Sequence, residues 1–286
     1  MPRHATTPLV VFSHANSFPA GTYGVLFRSL RARGIVVKAV EKFGHDPSYP
    51  VTSNWRHLVQ QLADFAGPEI ARHPGPAFLV GHSLGGFLSL MCAARHPVLG
   101  GTGARGVLLL DSPLLGGWRA RTLALIKRTQ LVGSVSPGRV SRRRRTQWPD
   151  ADAVFEHFRH KRAFAHWHPQ VLRDYVTHGT HDETGAQGVS RRVLSFSREV
   201  ETAIYNTLPH NLDRLLIRHP LRCPVAFIGG TRSQEMRQVG MSMTRKVVGR
   251  AHADRFHLIE GSHLFPMERP RETAAAIETM LARLQA

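Results

Sequence analysis

A serine between two glycines is the best-placed candidate nucleophile in this sequence. Gly81, Ser83 and Gly85 form a Gly-x-Ser-x-Gly pattern. The apolar residues 77–80 before it predict a short buried strand, and the Ala-rich apolar residues 87–95 after it predict a helix. A serine on a tight strand-to-helix turn presents its hydroxyl to an incoming carbonyl group. We therefore expect Ser83 to act as the nucleophile of an acyl-transfer reaction.

A histidine near the other end of the chain is the candidate base. A serine hydroxyl is a poor nucleophile near pH 7, so it needs a neighbouring group that takes its proton. The chain has 18 histidines, so residue type alone does not identify that group. His263 follows directly on the last predicted strand, residues 256–259, in a Gly-Ser-His sequence. This position selects His263 as the base.

The elements around these residues alternate between strands and helices. Helices are predicted at residues 20–33, at 54–71, at 87–95 after the Gly-x-Ser-x-Gly pattern, and from about residue 271 onward. The predicted strands are residues 9–13, 35–40, 77–80, 106–110, 223–230 and 256–259. Such alternation favours a parallel sheet with right-handed crossovers. We expect an α/β fold with a mostly parallel sheet of about six strands, flanked by helices.

A long connection interrupts this alternation before the penultimate strand. Residues 113–222 are too many for a loop, so they must have structure of their own. We expect a core formed by residues 1–112 and 223–286, and a helical cap formed by residues 113–222. The apolar patches that predict its helices are Val154–Phe158, Phe164–Trp167, Leu172–Val176 and Val193–Tyr205. Apolar faces of this kind would close a pocket over the sheet.

Two of these motifs resemble those of the α/β-hydrolase family. They are Val-Gly-His-Ser-Leu-Gly-Gly at 80–86 and Gly-Ser-His at 261–263. The resemblance covers roughly residues 8–112 and 223–286. It implies the chain order serine, acid, histidine. It also implies a serine hydrolase that cleaves a carboxylic ester or a related acyl bond through an acyl-enzyme, without a cofactor.

The same resemblance implies two backbone donors for an oxyanion hole. In this family, the turn after the first strand donates one N–H group. Here that turn reads His14-Ala15-Asn16, so Asn16 supplies this group by position and Leu84, after the nucleophile, supplies the other. Such preorganised donors stabilise the negative charge on the carbonyl oxygen by several kcal/mol.

The acid that would orient His263 has two candidates. In the family, the loop after the penultimate strand commonly carries an aspartate, but the usual positions in residues 230–235 hold neutral side chains. Asp111 ends the preceding strand, and some members of the family supply the acid from there. Glu235 lies one residue further along the usual loop and has one more methylene group of reach. The sequence leaves both alternatives open.

The strongly basic composition raises the question of an anionic partner. The chain has 38 Lys and Arg against 20 Asp and Glu, for a formal net charge of +18. Such a charge could favour nucleic acid, anionic lipid or acidic substrates. The arginines are scattered, however, and only the run at 142–145 gives them a local focus. We therefore expect a small acyl substrate rather than a nucleic acid.

Other classes of function have weaker support in the sequence. The histidines of residues 157–181 match no firm metal-ligand spacing, so no metal site is predicted. A non-turnover ligand receptor or interaction protein on the same scaffold is the alternative to an enzyme. No apolar run approaches the ~20 residues of a membrane helix. The first residues lack a secretory apolar region, so we expect a cytoplasmic protein.

Overall fold

The computed structural model describes residues 7–116, 144–185 and 188–286. The strands are β1 (Leu9–Ser13), β2 (Val36–Ala39), β3 (Ala77–His82), β4 (Gly106–Leu110), β5 (Gln147–Trp148), β6 (Thr180–Thr184), β7 (Ser190–Leu194), β8 (Val225–Gly230) and β9 (Phe256–Ile259). The first helices are α1 (Gly24–Arg31), α2 (Arg56–Arg72) and α3 (Leu84–Arg95). The later helices are α4 (Ala151–Arg159), α5 (Pro169–Gly179), α6 (Arg198–Asn206), α7 (Leu212–Arg218), α8 (Gln234–Val239), α9 (Ser242–Val248), α10 (Phe265–Glu268) and α11 (Pro270–Arg283).

Six of the strands form one parallel sheet in the order β2-β1-β3-β4-β8-β9. Strands β1, β3 and β4 are buried along their whole length, because helices cover both faces of the sheet. Helices α2 and α3 pack on one face, and α1 and α11 pack on the other. The predicted α/β class and the six-stranded parallel sheet are confirmed.

The register of the sheet brings the ends of distant strands to one edge. His82 of β3 pairs with Leu110 of β4, and Leu110 pairs with Ile228 of β8. Ser83 and Asp111 follow directly on β3 and β4, so they leave the sheet side by side. Ligands of open α/β sheets bind at this carboxyl edge, where the strands end.

The described part of the cap segment combines helices with a small second sheet. Helices α4 to α7 fall within residues 144–222, together with an antiparallel sheet in the order β5-β7-β6. The prediction of a helix at Val193 and Leu194 is wrong, because both residues lie in β7. Strand β7 pairs with β6 over five residues, and Arg191 forms an ion pair with Glu183 across the two strands at 2.5 Å.

The limits of the cap remain a prediction. Residues 117–143 lie outside the described residues, and they include Arg142 and Arg143 of the arginine run. Arg144 and Arg145 of the same run are described, and both belong to the segment that enters β5. The division of the chain into a core and a cap after residue 112 and before residue 223 therefore stays a prediction.

Candidate active site

Ser83 lies on a strained turn between β3 and α3. Its backbone has φ 53° and ψ −114°, a conformation that L-residues rarely adopt. The N–H group of Ser83 donates to the carbonyl oxygen of Leu110 over 2.9 Å, which ties the turn to β4. Strain of this kind is typical of functional sites that the surrounding structure holds in place.

The glycines on either side of Ser83 allow the close crossing of this turn. A Cβ atom at Gly81 would collide with the backbone of Gly85. A Cβ atom at Gly85 would collide with the carbonyl group of Ser13, at the end of β1. Both positions therefore require glycine, as the Gly-x-Ser-x-Gly pattern predicts.

His263 joins Ser83 to Asp111 through two hydrogen bonds. Its Nε2 atom lies 2.9 Å from Ser83 Oγ, and its Nδ1 atom lies 2.7 Å from Asp111 Oδ2. A carboxylate only accepts, so Nδ1 carries the proton and Nε2 is free to accept the hydroxyl proton of Ser83. The structure thus brings together three residues that are up to 180 positions apart in the chain.

Asp111 is a fully buried carboxylate with several donors. Its Oδ1 atom accepts the N–H group of Gly230 over 2.7 Å. Its Oδ2 atom accepts the hydroxyl group of Ser233 over 2.5 Å, in addition to His263. Hydrogen bonds to a carboxylate are about twice as strong as those between neutral groups. These donors hold Asp111 in the orientation that the imidazole needs.

The sequence did not indicate Ser233, which lies in the loop where the family commonly places its acid. Its hydroxyl group donates to Asp111 and also accepts from the N–H group of Met236, in the first turn of α8. The signal available in the sequence was a neutral hydrogen-bond donor at the usual position of the acid. A carboxylate supplied from a neighbouring strand would need such a donor.

Glu235 lies near the same imidazole but does not hydrogen-bond to it. Its Oε2 atom is 4.0 Å from His263 Nδ1, and 47% of its side chain is exposed. It lies in the first turn of α8. Of the two candidate acids, Asp111 therefore contacts the imidazole directly, whereas Glu235 is a neighbouring charge at the rim of the site.

These carboxylates raise the pKa of His263. Burial alone would lower the pKa of this imidazole, because it disfavours the charged form. The hydrogen bond that His263 donates to Asp111 and the negative charge of Asp111, followed by the charge of Glu235, outweigh that effect. The net result is a pKa above the ordinary value of 6.5. The protonated imidazole is thus stabilised, which suits a group that takes up a proton during a reaction.

The two candidate oxyanion donors are both buried. Asn16 lies in the loop after β1, and Leu84 is the first residue of α3. Within residues 7–116, 144–185 and 188–286, the backbone N–H groups of Asn16 and Leu84 donate to no protein acceptor. Buried N–H groups without an acceptor are rare, because each costs a hydrogen bond. Both groups are thus available to an oxygen atom at the site.

His14 stabilises the loop after β1 from within the core. Its Nδ1 atom donates to the carbonyl oxygen of Ala15 over 2.7 Å, and its Nε2 atom accepts the N–H group of Phe43 over 3.0 Å. Burial lowers the pKa of His14 to about 4, so the ring is neutral at pH 7. A neutral ring can serve as donor and acceptor at once.

Tyr23 connects the same loop to the residue before Ser83. Its hydroxyl oxygen accepts the N–H group of Ala15 over 3.0 Å, and its hydroxyl group donates to His82 Nδ1 over 2.7 Å. Burial lowers the pKa of His82 well below its ordinary value, and the charge of His263 adds to this effect. The sequence pattern indicated a role for neither residue, because Tyr23 lies on the apolar face of a predicted helix and His82 lies inside the motif at 80–86.

Two kinds of feature are missing from the described residues. Over residues 7–116, 144–185 and 188–286, no group of three or more His, Cys, Asp or Glu side chains is arranged to hold a metal ion. Across the same ranges, no helix has both the length and the apolar character that a bilayer crossing requires.

The fold and the geometry of this site place the chain in a known class. The sequence profile of the alpha/beta hydrolase family matches residues 10–276. The chain therefore belongs to this family, as its motifs predict.

Individual relatives with curated descriptions match part of the chain. A monoacylglycerol lipase of Mycolicibacterium smegmatis is 27% identical over 134 residues, which cover 46% of this chain and 46% of the relative. A monoglyceride lipase of Homo sapiens is 31% identical over 111 residues, which cover 37% of this chain and 35% of the relative. The match thus spans less than half the length of these curated relatives.

Solved structures resemble almost the whole chain. The crystal structure of E-2-(acetamidomethylene)succinate hydrolase has a TM-score of 0.65 at 21% identity, over 97% of this chain and 92% of that one. A thioesterase domain from the curacin biosynthetic pathway has a TM-score of 0.66 at 18% identity, over 95% of this chain and 91% of that one. At these identities the likeness shows a shared fold.

Proposed function

We propose that this chain is a serine hydrolase that cleaves a carboxylic ester or a related acyl bond. The proposal depends on one observation, the continuous hydrogen-bonded series from Asp111 through His263 to Ser83, at 2.7 and 2.9 Å. A serine, an imidazole and a buried carboxylate in this order are the arrangement that activates a hydroxyl group for attack on a carbonyl.

In the first half of the reaction, Ser83 Oγ attacks the carbonyl carbon of the substrate. His263 Nε2 takes the hydroxyl proton, and the raised pKa of the imidazole favours this transfer. The carbonyl oxygen becomes negative and accepts from the N–H groups of Asn16 and Leu84. His263 then gives the proton to the leaving group, and the acyl group stays on Ser83.

In the second half, a water molecule attacks the acyl-enzyme. His263 takes one proton of this water, and the same two N–H groups hold the second oxyanion. Collapse of the intermediate returns the proton to Ser83 Oγ and releases the carboxylic acid. Asp111 accepts the hydrogen bond of Nδ1 throughout and keeps the imidazole in one tautomer.

The substrate is proposed to be a small ester. Curated relatives are described as monoglyceride lipases, which supports an ester bond as the target. Phe18 contacts the rings of Phe164, Trp167 and Tyr175 in the cap, at centroid distances from 5.4 to 6.3 Å. This aromatic cluster adjoins the loop that carries Asn16, and Phe18 is its partly exposed member, so the acyl chain of the substrate would meet the apolar ring of Phe18.

A covalent probe and an ester panel test this proposal. A fluorophosphonate should label the protein, and one or more p-nitrophenyl esters should be hydrolysed. Ser83→Ala should abolish both signals, because the nucleophile is absent. Ser29→Ala is the matched control, since Ser29 donates only to the carbonyl oxygen of Val25 within α1.

Two outcomes would contradict the proposal. Labelling that persists in Ser83→Ala would assign the nucleophile to another residue. Folded wild-type protein that neither reacts with the probe nor turns over any ester, while it still binds a ligand, would favour the alternative of a non-turnover receptor.

A further inference from the structure

The cap contains an ion pair that is largely withdrawn from solvent. Arg144 Nη1 lies 3.1 Å from Glu201 Oε2, and the two side chains are 16% and 7% exposed. Exposed ion pairs contribute little to stability, but breaking a buried pair leaves an uncompensated charge and is strongly disfavoured. Arg144 belongs to the arginine run at 142–145, yet its side chain lies inside the cap rather than on its surface.

Arg144 joins three helices of the cap. Besides Glu201 of α6, its guanidinium group donates to the hydroxyl group of Tyr175 in α5. The same group lies 5.6 Å from the ring centre of Phe158 in α4. A planar guanidinium can make directed hydrogen bonds and stack on a ring at the same time, which a lysine cannot do. Arg144 thus contacts all three helices at once.

Both hydrogen-bond partners of Arg144 lead to the loop after β1. The backbone carbonyl oxygen of Glu201 accepts from Asn16 Nδ2 over 3.2 Å. A carbonyl oxygen only accepts, so this bond fixes which way the Asn16 amide is turned. The ring of Tyr175 packs against Phe18 with 5.7 Å between centroids. The loop is thus held at two points by the residues that Arg144 orients.

The loop needs such support because it has little regular structure of its own. Between β1 and the 3-10 helix at Ala20–Tyr23, residues 14–19 form no strand or helix. Ser17 has φ 78°, in the left-handed region. A backbone donor must be held within a fraction of an ångström to stabilise an oxyanion well. Contacts with the cap therefore add to the hydrogen bonds of His14 and Tyr23 in fixing where the N–H group of Asn16 points.

We infer that the Arg144–Glu201 ion pair is a positioning pair for the proposed oxyanion donor Asn16. The pair fixes the position of α6, whose Glu201 carbonyl group accepts from the Asn16 side chain. Arg144 also fixes the position of the Tyr175 side chain, which packs against Phe18. The cap thereby aligns one half of the oxyanion hole. This inference rests on the proposed function, since the catalytic effect follows from the role proposed for the Asn16 N–H group.

The test compares Arg144→Met and Glu201→Gln with a matched control in the same cap. The control is Arg192→Met, which removes an ion pair with Asp182 at 3.1 Å. The other partners of Arg192 are Thr180 and the carbonyl groups of Val176 and Thr177, all within α5 and β6. Glu201→Gln keeps the backbone carbonyl group and the shape of the side chain, so it serves if Arg144→Met does not fold.

The first readout does not need turnover. Amide hydrogen exchange, followed by mass spectrometry, should become faster in residues 14–18 of Arg144→Met and Glu201→Gln. It should stay unchanged there in Arg192→Met. Unchanged exchange of residues 14–18 in both pair variants would overturn the inference, whatever the protein catalyses.

The second readout is kinetic. For the pair variants, we expect kcat on a p-nitrophenyl ester to fall about 10- to 100-fold, while KM changes less than about 2-fold. Inhibition by a boronic acid, which mimics the tetrahedral oxyanion, should weaken by the same factor as kcat. Arg144→Lys should restore part of the loss, because it keeps the charge but not the full hydrogen-bond geometry.

The two proposals fail in different ways. An equal loss of kcat in Arg192→Met, or a rise of KM alone in the pair variants, would contradict the positioning role. Wild-type protein without turnover would contradict the proposed function, and the exchange experiment would still decide whether the ion pair holds the loop.

Discussion

The Nε2–H group of His82 donates to the backbone carbonyl oxygen of His263 over 2.8 Å. His82 ends β3 and directly precedes Ser83, so the strand that leads to Ser83 also holds the main chain of His263. Tyr23 fixes the tautomer of His82 by donating to its Nδ1 atom. The separation between Ser83 and His263 is thus set by a buried, neutral side chain.

Tyr23→Phe tests this arrangement. The change removes the donor to His82 and leaves the N–H group of Ala15 without its acceptor, so we expect a loss of about 1–3 kcal/mol in the free energy of unfolding. We also expect kcat to fall several-fold with little change in KM. Urea denaturation and ester kinetics measure the two effects.

Tyr49→Phe is the control for this substitution. The hydroxyl group of Tyr49 donates to Asp64 over 2.8 Å at an exposed position. Its loss should change stability by less than about 0.5 kcal/mol. Equal effects of the two substitutions would show that the buried network around His82 has no special importance.

The two carboxylates near His263 should differ sharply in their contribution to the rate. Asp111→Asn removes the acceptor that keeps the proton on Nδ1, and the cost for a triad of this type is about 10⁴-fold in kcat. Glu235→Gln removes a half-exposed charge at 4.0 Å and should cost no more than a few-fold. Steady-state kinetics of the single variants and the double variant measure this.

The double variant separates the two alternatives that the sequence left open. If Glu235 acts as a reserve acid, the double variant should be slower than Asp111→Asn. A large loss in Glu235→Gln alone, with Asp111→Asn near the wild-type rate, would reverse the assignment.

The pH dependence of kcat/KM should report the imidazole of His263. In the proposed reaction His263 acts as a base in its neutral form, so kcat/KM should rise as the pH increases through its pKa. Since Asp111 and then Glu235 raise this pKa, the inflection should lie above 6.5. Glu235→Gln should move the inflection downward. An inflection below 6.5 in the wild-type protein would contradict this account.

Acid should destabilise the fold through its buried histidines. Burial lowers the pKa of His14 from 6.5 to about 4, so the unfolded chain binds a proton between these values that the folded chain does not. The stability contributed by neutral His14 is complete above about pH 6.5. It falls by about 3 kcal/mol as the pH drops to about 4.

His82 should add to this acid sensitivity, because burial lowers its pKa in the same direction. Urea unfolding at several pH values measures how steeply the free energy of unfolding changes with pH. His14→Gln should reduce this slope. His57, a histidine of α2 that lies outside this network, provides the control variant His57→Gln. A slope that His14→Gln leaves unchanged would assign the acid sensitivity to other groups.

Local sequence patterns predict two residues of the candidate site. Ser83 follows from two glycines between a strand and a helix, and His263 follows from its position at the end of the last strand. The sheet was predictable because buried parallel strands such as residues 106–110 are continuous apolar runs.

The remaining features depend on contacts between distant segments. Asp111 and Glu235 both have acceptable positions along the chain. Only the folded structure shows that His263 Nδ1 lies 2.7 Å from the Asp111 carboxylate and 4.0 Å from that of Glu235. Arg144 reads as part of a basic run, and its partner Glu201 is 57 residues away. The strands β6 and β7 were missed because short strands with charged outer faces lack a clear apolar alternation.

The position of β9 at the margin of the sheet has a geometric consequence. Three strand spacings, about 14 Å, separate β9 from β3. To reach Ser83, the turn that carries His263 must lean back across the end of β8, where a Cβ atom at Gly230 would strike the carbonyl group of Ser262. A side chain at position 230 would tilt this turn outward and move the imidazole of His263 away from Ser83. The hydroxyl group of Ser83 and the carboxylate of Asp111 would both stay where they are.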